Sequence, residues 1–569
     1  MKNILFQLQG NSEPYAYESD IYQENVVCES ESSDDCSTIN KSEVEDMIYV
    51  PYNEKVKKGS YNTLKLPKYA SACCRHGISD VASAELANAL LEDMGILTKD
   101  NPNLVIDKSK IKRQKEIVGR KINEESVASR KDLEGLYFDG RDDKTTIMDT
   151  DEDGSHRRRT IREEHVSMIQ EPGSIFLTHV STGRQKTALI TFEVMYKYLI
   201  DNEIDLSKLR VIGSDGTNTN TGKNNGIIRR FEVKLNQPLQ WFICLLHFNE
   251  LPLRHLVQLL DGPTSSAEIL TGELGSKLPN VLDFPIVKFK PIKIPNVINI
   301  SNLNDLSTDQ KYLYDMLMAI GNGSVSRELE KRNPGKTHKA RWLTTANRLL
   351  RLYVATNKPS KVQITITKYI VEVYGPIWFA VKCFPNCIYG ARHLYSCIKL
   401  SRSMEKNSRD IIDEVIQTNA YFAHPENILI AMLHDHRLNI RRLALNNIKE
   451  ARSVKEERLR RFEVPSLNFS AKEYYNMINW KKCDITEPPL TKAIPIEDLT
   501  TFVEEYQEGD EPLFKFPAHT QAVERTVKLV TQTSTKVCGE SQRNRRILTV
   551  ISRRKEQPKF RTKSDYKLS

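Results

Sequence analysis

The sequence predicts an α/β core interrupted by a long all-α segment, with a small helical region ahead of the core. Three observations support this fold class. Strand-like and helical apolar patterns alternate between residues 133 and 246, helical spacing dominates 308–456, and an alanine-rich helical pattern occupies 66–122. A chain of 569 residues exceeds what one hydrophobic core normally organises, so several domains are expected.

The N-terminal part divides into an acidic leader and a helical region. The first fifty residues hold eleven acidic and two basic side chains, and 1–60 is predicted to be a disordered acidic leader. Within 61–125, a helix, a break at Gly77 and a second helix between Ser79 and Gly95 have the outline of a helix-turn-helix. A small helical bundle with a solvated basic face is an equal alternative.

The first part of the core is assigned to 126–262. Strands are predicted near 135–140, 159–167 and 173–180, a helix at 187–199, and further strands near 209–214 and 239–246. A parallel pair is expected wherever a helix connects two strands, because such a connection crosses over the sheet. The predicted core is therefore a mixed sheet.

Two predicted strands end in an aspartate followed by glycine, at Asp139 and Asp215. Carboxylates at the carboxyl ends of neighbouring α/β strands point into the crevice where open sheets bind ligands. Such oxygen ligands suit Mg²⁺ or Mn²⁺ in two-metal phosphoryl transfer. The alternative is that each is an ordinary turn residue, since Asp before Gly is common in turns.

The rest of the chain is predicted to be mostly helical. A mainly α-helical insertion is assigned to 263–512, a closing helix of the core to 513–540, and a basic tail to 541–569. The loop 213–222 lacks the spacing of a dinucleotide or Walker phosphate loop, so no nucleotide cofactor is expected.

The charge distribution predicts a polyanionic partner. Net charge is +9, and because the first fifty residues carry −9, the remaining chain carries +18. Nucleic acid is the usual partner of a basic body, and a solvated lysine-rich surface is the alternative. No apolar run of about 18 residues is present, so a membrane partner is not expected. Scattered cysteines favour a reduced intracellular compartment.

Four short motifs, in order, resemble the hAT superfamily of DNA transposases. They are Asp215 with its Asn-rich loop, Cys244-Leu-Leu-His247, Arg341-Trp342, and Val523-Glu524-Arg525. The same stretch is similar to transposase-derived proteins of invertebrate genomes, through runs such as Phe-Asp-Gly-Arg at 138–141. The zinc finger common in that superfamily has no counterpart in the N-terminal cysteine and histidine spacing.

The resemblance implies a ribonuclease-H-like mixed sheet core interrupted by an all-α insertion domain. It also implies that Asp139, Asp215 and Glu524 are catalytic and bind Mg²⁺ or Mn²⁺, Asp139 by its place on the first strand. His247, Arg341 and Trp342 would contact DNA. The expected setting is the nucleus, with DNA as partner and homo-oligomerisation left open. The alternative is a domesticated, inactive nucleic-acid-binding or protein-interaction module.

Overall fold

The computed structural model describes residues 65–556, with gaps at 101, 129–131, 152, 184, 265–269, 296–299, 301–302, 304–305, 336–341, 455–458 and 460–461. The predicted leader at 1–60 and Arg341 therefore lie outside the described residues. The chain forms two compact units. One takes the described residues up to Asn123 together with those from Leu548 to Glu556, and the other spans Glu124–Ile547.

The smaller unit contains the predicted helix, break and second helix. Helix α1 (Pro67–His76) ends at Gly77, whose φ of 71° is the left-handed conformation that glycine adopts without strain. Helix α2 (Asp80–Asp93) begins after Ser79, whose Oγ accepts from the Ala82 amide at 3.1 Å. The predicted cap and break are confirmed. Helix α3 (Lys108–Ala128) follows.

The larger unit is built on a five-stranded mixed sheet. Its order is β3-β2-β1-β4-β5, with β1–β2 and β2–β3 antiparallel and β1–β4 and β4–β5 parallel. The strands are β1 (Gly135–Thr150), β2 (His156–Glu171), β3 (Ile175–Gly183), β4 (Val211–Ser214) and β5 (Gln240–Ile243). The predicted mixed sheet is confirmed, although β1 and β2 extend well beyond their predicted ends.

Helices supply the crossovers that parallel strands require. Between β3 and β4 runs α4 (Ala188–Asp201), and between β4 and β5 run α5 (Asn218–Thr221) and α6 (Ile227–Leu235). The apolar stretch 239–246 divides, because β5 ends at Ile243 and α7 (Leu245–Leu260) begins two residues later. The end of β5 is thus also the start of a helix.

The predicted helical segment packs directly on the sheet. Its helices are α8 (Thr308–Asn322), α9 (Arg327–Lys331), α10 (Trp342–Val354), α11 (Lys361–Tyr369), α12 (Gly375–Cys383), α13 (Gly390–Ser401), α14 (Lys406–Asn419), α15 (Pro425–Leu433), α16 (Leu438–Ser453) and α17 (Ile496–Glu505). A π-helical stretch, Ile370–Tyr374, joins α11 to α12. One hydrophobic cluster includes Tyr137 and Phe242 of the sheet together with Tyr312 and Leu350 of these helices. Sheet and helical segment therefore share a core.

Two final helices follow. Helix α18 (Gln521–Ser534) returns to the sheet, where the Thr531 hydroxyl donates to the Asp143 carboxylate at 2.7 Å. Helix α19 (Glu540–Glu556) occupies the first part of the predicted basic tail. None of the helices in the described ranges combines the length and apolar character needed to cross a membrane.

Candidate active site at the carboxyl edge of the sheet

Asp139 and Asp215 occupy equivalent positions on neighbouring parallel strands. The last parallel pair between β1 and β4 is Tyr137 with Gly213. Each aspartate lies two residues further along its strand, so the register places both at the same edge of the sheet. Both side chains are half-buried. Asp215 follows the end of β4, as predicted. The predicted strand end at Asp139 is wrong, because β1 pairs with β2 through Asp139 and Ser167 and continues to Thr150.

The Asn-rich loop after β4 orients the Asp215 carboxylate. Its Oδ1 accepts from the Thr217 amide at 3.1 Å, the Thr217 hydroxyl at 2.8 Å and the Asn220 side-chain amide at 2.7 Å. All three donors address the same oxygen. The carboxylate is therefore fixed by one oxygen while Oδ2 is the oxygen available to a ligand.

The end of β5 lies next to this loop. The Cys244 amide donates to the Ser214 carbonyl at 3.0 Å, which aligns Cys244 with the residue after β4. A Cβ on Gly216 would lie 3.4 Å from His247 Cδ2, so the imidazole packs against the backbone that follows Asp215. Burial raises the pKa of Cys244 to about 12. The Cys-x-x-His element thus places a histidine beside Asp215 and a neutral thiol in the core.

Glu524 reaches the same region from the end of the chain. It lies in the first turn of α18, where its Oε1 accepts from the Thr520 hydroxyl at 3.0 Å. The Thr520 amide in turn contacts Cys244 Sγ at 3.5 Å, and the Leu245 amide donates to the Ala518 carbonyl at 3.0 Å. The charge of Glu524 also contributes to the raised pKa of Cys244. Glu524 is therefore close to the end of β5.

Helix α18 runs along β1, and its contacts indicate which residues of the strand lie opposite Glu524. Thr531 contacts Asp143, and the Thr146 hydroxyl donates to the Thr535 carbonyl, so helix and strand run in the same direction. Glu524 precedes Thr531 by seven residues, so it lies on the same helix face about two turns, or roughly 10 Å, earlier. At about 3.3 Å per strand residue this corresponds to three residues of β1. Glu524 is thus expected opposite Asp139 and Gly140.

The carboxylates of Asp139, Asp215 and Glu524 are suitable ligands for a hard divalent cation, although they do not converge on a single metal position. Within the described ranges, no three Asp, Glu, His or Cys side chains lie close enough together to hold a metal ion. The three acids would offer carboxylate oxygens, the donors that Mg²⁺ and Mn²⁺ prefer. The sulfur of Cys244, which lies near Glu524, is kept neutral by burial and does not compete.

The structure corrects the role expected for Trp342. The indole is only 4% exposed and belongs to the core shared by sheet and helices. It is not available to stack on a base, because its side chain is buried within this core. Its partner in the motif, Arg341, lies outside the described residues.

Tyr421 is a neighbour of Asp215 that the sequence did not reveal. Its hydroxyl donates to Thr221 Oγ1 at 2.9 Å, and the charge of Asp215 contributes to raising its pKa. Tyr421 comes from the helical segment, some two hundred residues after Asp215. No local motif marks it, since its position depends on how that segment packs.

A buried polar cluster lies on β1–β3. His165 and His179 are each 1% exposed, with ring centroids 5.3 Å apart, and His165 Nε2 is 2.7 Å from Thr145 Oγ1. Burial lowers the pKa of His179 to about 3, with the charges of His165 and Arg543 acting in the same direction. Both rings are interior residues of the sheet.

Comparison with known proteins adds little. No protein-family model and no curated protein matches the chain. A solved structure to which it is similar is the Drosophila P element transposase strand transfer complex, at 12% identity and a TM-score of 0.31, with 88% of this chain and 94% of that chain covered. A similarity of this size assigns neither a family nor a fold.

Proposed function

We propose that the protein is a transposase-like or transposon-derived DNA-binding protein with a metal-dependent nuclease or strand-transfer core of the ribonuclease-H-like type. The observation that carries this proposal is the register of Asp139 and Asp215. Each of these acids lies two residues beyond the last β1–β4 pair. Their strands are separated along the chain by β2, β3 and α4. Glu524 approaches the same edge from α18.

Asp139, Asp215 and Glu524 would hold Mg²⁺ or Mn²⁺ at this edge. When bound, such ions activate a water or a 3′-hydroxyl and stabilise the leaving oxygen of a phosphodiester. Thr217 and Asn220 fix Asp215 through Oδ1, which orients Oδ2 before any ligand arrives.

DNA would be held by charge and by groups near the edge. His247, which packs against Gly216, would donate to a substrate phosphate. The excess of +18 beyond residue 50 supports sequence-independent affinity, which falls as salt rises because bound counterions are released. Such a protein would act in the nucleus.

The direct test is DNA cleavage by the full chain. Labelled duplex DNA is incubated with the protein and Mn²⁺, beside Asp215→Asn, Glu524→Gln and the control Asp201→Asn. Asp201 is an exposed acid that pairs with Lys197 at 2.9 Å at the end of α4, before β4 begins, whereas Asp215 follows the end of β4. We expect cleavage in the wild type and Asp201→Asn, and its loss in the two site variants with DNA binding retained.

Two other results would change the assignment. Salt-sensitive DNA binding without cleavage, alike in wild type and Asp215→Asn, would favour an inactive nucleic-acid-binding module. Cleavage that persists in both site variants would place the activity elsewhere and refute the proposed role of these acids.

A further inference from the structure

Helix α10 is almost entirely buried, yet one of its faces carries a stripe of polar side chains. Thr344, Asn347, Arg348 and Arg351 recur at intervals of three and four residues, so they share one helix face. This face meets α8, because the Asn347 side-chain amide donates to the Asp309 carbonyl at 3.0 Å. Asn347 and Arg351 are at most 1% exposed. Such a stripe in a core requires polar partners.

Arg348 has such partners in the backbone. Its Nε donates to the Gly335 carbonyl at 2.8 Å, and Nη1 reaches the carbonyls of Leu278 and Pro279. Arg348 therefore fastens the irregular segment before α8 to α10. Its place is explained by structure alone.

Arg351 is different. Its Nη2 donates to the Phe284 carbonyl at 2.8 Å, but its buried Nε and Nη1 make no hydrogen bond with the described residues. Three neighbouring buried atoms share this condition: the Tyr312 hydroxyl on α8, Asn347 Oδ1, and Thr344 Oγ1 on the same face of α10. A guanidinium with two unused nitrogens, a hydroxyl and an amide oxygen thus face one interface. The set offers at least three hydrogen-bond donors and one dedicated acceptor.

Arg348 and Arg351 bring two positive charges to this interface. Within the described ranges no acid forms an ion pair with Arg348 or Arg351, although the charge of Glu330 reaches Arg351. Arg332, also near Tyr312, is already held in two ion pairs. Burial lowers the pKa of Arg351 and Arg348 while raising that of Tyr312 to about 12. A buried guanidinium without an acid is costly unless an anion compensates it.

We propose that Tyr312, Asn347 and Arg351, with Arg348 beside them, form a binding site for a phosphate-class oxyanion inside the helical segment. Arg351 supplies the planar donors that match such an oxyanion, and Tyr312 supplies a third. Asn347 Oδ1 accepts the proton of a monohydrogen phosphate or of a monoester hydroxyl. Two guanidinium groups in the lining favour an anion over a metal ion. This site is independent of the acids at the sheet edge.

Thermal unfolding of the full chain tests the site. All four tryptophans lie within Glu124–Ile547, so their fluorescence follows the larger unit. The midpoint is measured against inorganic phosphate, and separately against a nucleoside monophosphate, with chloride maintaining ionic strength. The variants are Arg351→Lys and Tyr312→Phe, and the control is Arg442→Lys, an exposed arginine paired with Glu504. Asp215→Asn is included to separate this site from the sheet edge.

We expect a saturable rise in the midpoint for the wild type, Arg442→Lys and Asp215→Asn. Arg351→Lys should weaken the apparent affinity by about 10- to 100-fold, since bonds to charged groups are involved, and Tyr312→Phe by about tenfold. Stronger stabilisation by the monophosphate would identify an organic phosphate as the ligand, and stronger stabilisation by phosphate would identify the free ion.

Absence of a saturable shift in the wild type would overturn the proposal. So would an unchanged affinity in both site variants. Tyr312→Phe removes only a hydroxyl that has no partner, so this variant should fold even if Arg351→Lys does not. In that case Tyr312→Phe decides alone, and wild-type affinity in it refutes the site.

Discussion

Gly213→Ala is expected to destabilise the larger unit by crowding Tyr137. A Cβ at position 213 would lie 2.5 Å from Tyr137 Cδ2 and 2.6 Å from Cε2. Carbon atoms normally approach to about 3.5–4.0 Å, so the ring must retreat by roughly 1 Å. It has little room, because it is fully buried and its hydroxyl donates to the Pro517 carbonyl at 2.6 Å.

The expected magnitude combines three effects. Overpacking a core costs about 1–3 kcal/mol. Stretching the buried Tyr137–Pro517 hydrogen bond adds about 1 kcal/mol. Replacing glycine by alanine returns about 0.4–1 kcal/mol by restricting the unfolded chain. The net loss is therefore about 1–3 kcal/mol. Pro517 precedes α18, so the same shift should also reduce any Mn²⁺-dependent cleavage that depends on Glu524.

Urea unfolding followed by tryptophan fluorescence measures this loss. A double-mutant cycle with Tyr137→Leu isolates its cause, because leucine leaves room for the new methyl group. We expect Gly213→Ala to cost at least 1 kcal/mol less in the leucine background. An equal cost in both backgrounds, or no cost in either, would refute the reasoning.

Three further predictions follow from buried groups. Because His179 resists protonation in the folded state, the free energy of unfolding should fall as pH drops below about 6.5, by up to about 1.4 kcal/mol per pH unit, until the pH reaches its pKa of about 3. This dependence of stability on pH should be weaker in His179→Phe. An equal dependence in both proteins, measured by melting at several pH values, would contradict the prediction. Glu232→Gln should lower the free energy of unfolding in urea by about 3–5 kcal/mol, because the buried Glu232 carboxylate accepts from Trp241 Nε1 at 3.0 Å and pairs with Arg229. A loss below 1 kcal/mol would show that the ion pair is dispensable. Trp342→Ala should lower the free energy of unfolding by about 3–5 kcal/mol, because it empties a buried site, and should leave the DNA affinity of the folded protein unchanged. A loss of DNA affinity in binding assays without a loss of stability would show that Trp342 contacts DNA after all.

The sequence predicted the mixed sheet because its buried parts are apolar. Strands β4 and β5 are short and fully buried, so their apolar runs stand out. The outer part of β1, residues 141–150, is largely polar and gave no such signal. It pairs with β2 through cross-strand contacts such as Arg159 with Asp149 at 3.3 Å, which a pattern of burial cannot reveal.

The candidate site was predictable only in part. Asp139 and Asp215 could be placed at one edge because each follows a predicted strand of the same sheet. Glu524 was identified by resemblance alone, since no local pattern indicates that α18 runs along β1. The DNA contact expected for Trp342 was wrong, because the position of an aromatic residue in a helical sequence does not reveal whether its side chain faces the core. Tyr421 depends entirely on distant packing.

The hydrogen bonds that fasten Pro517 and Ala518 to the sheet have a consequence for biosynthesis. Tyr137 and Leu245 leave the ribosome more than 270 residues before their partners. At about 5–20 residues per second, that interval lasts roughly 15–60 s. Throughout it the nascent sheet lacks the helix that carries Glu524. Translation order would therefore keep any nuclease silent until the helical segment has emerged.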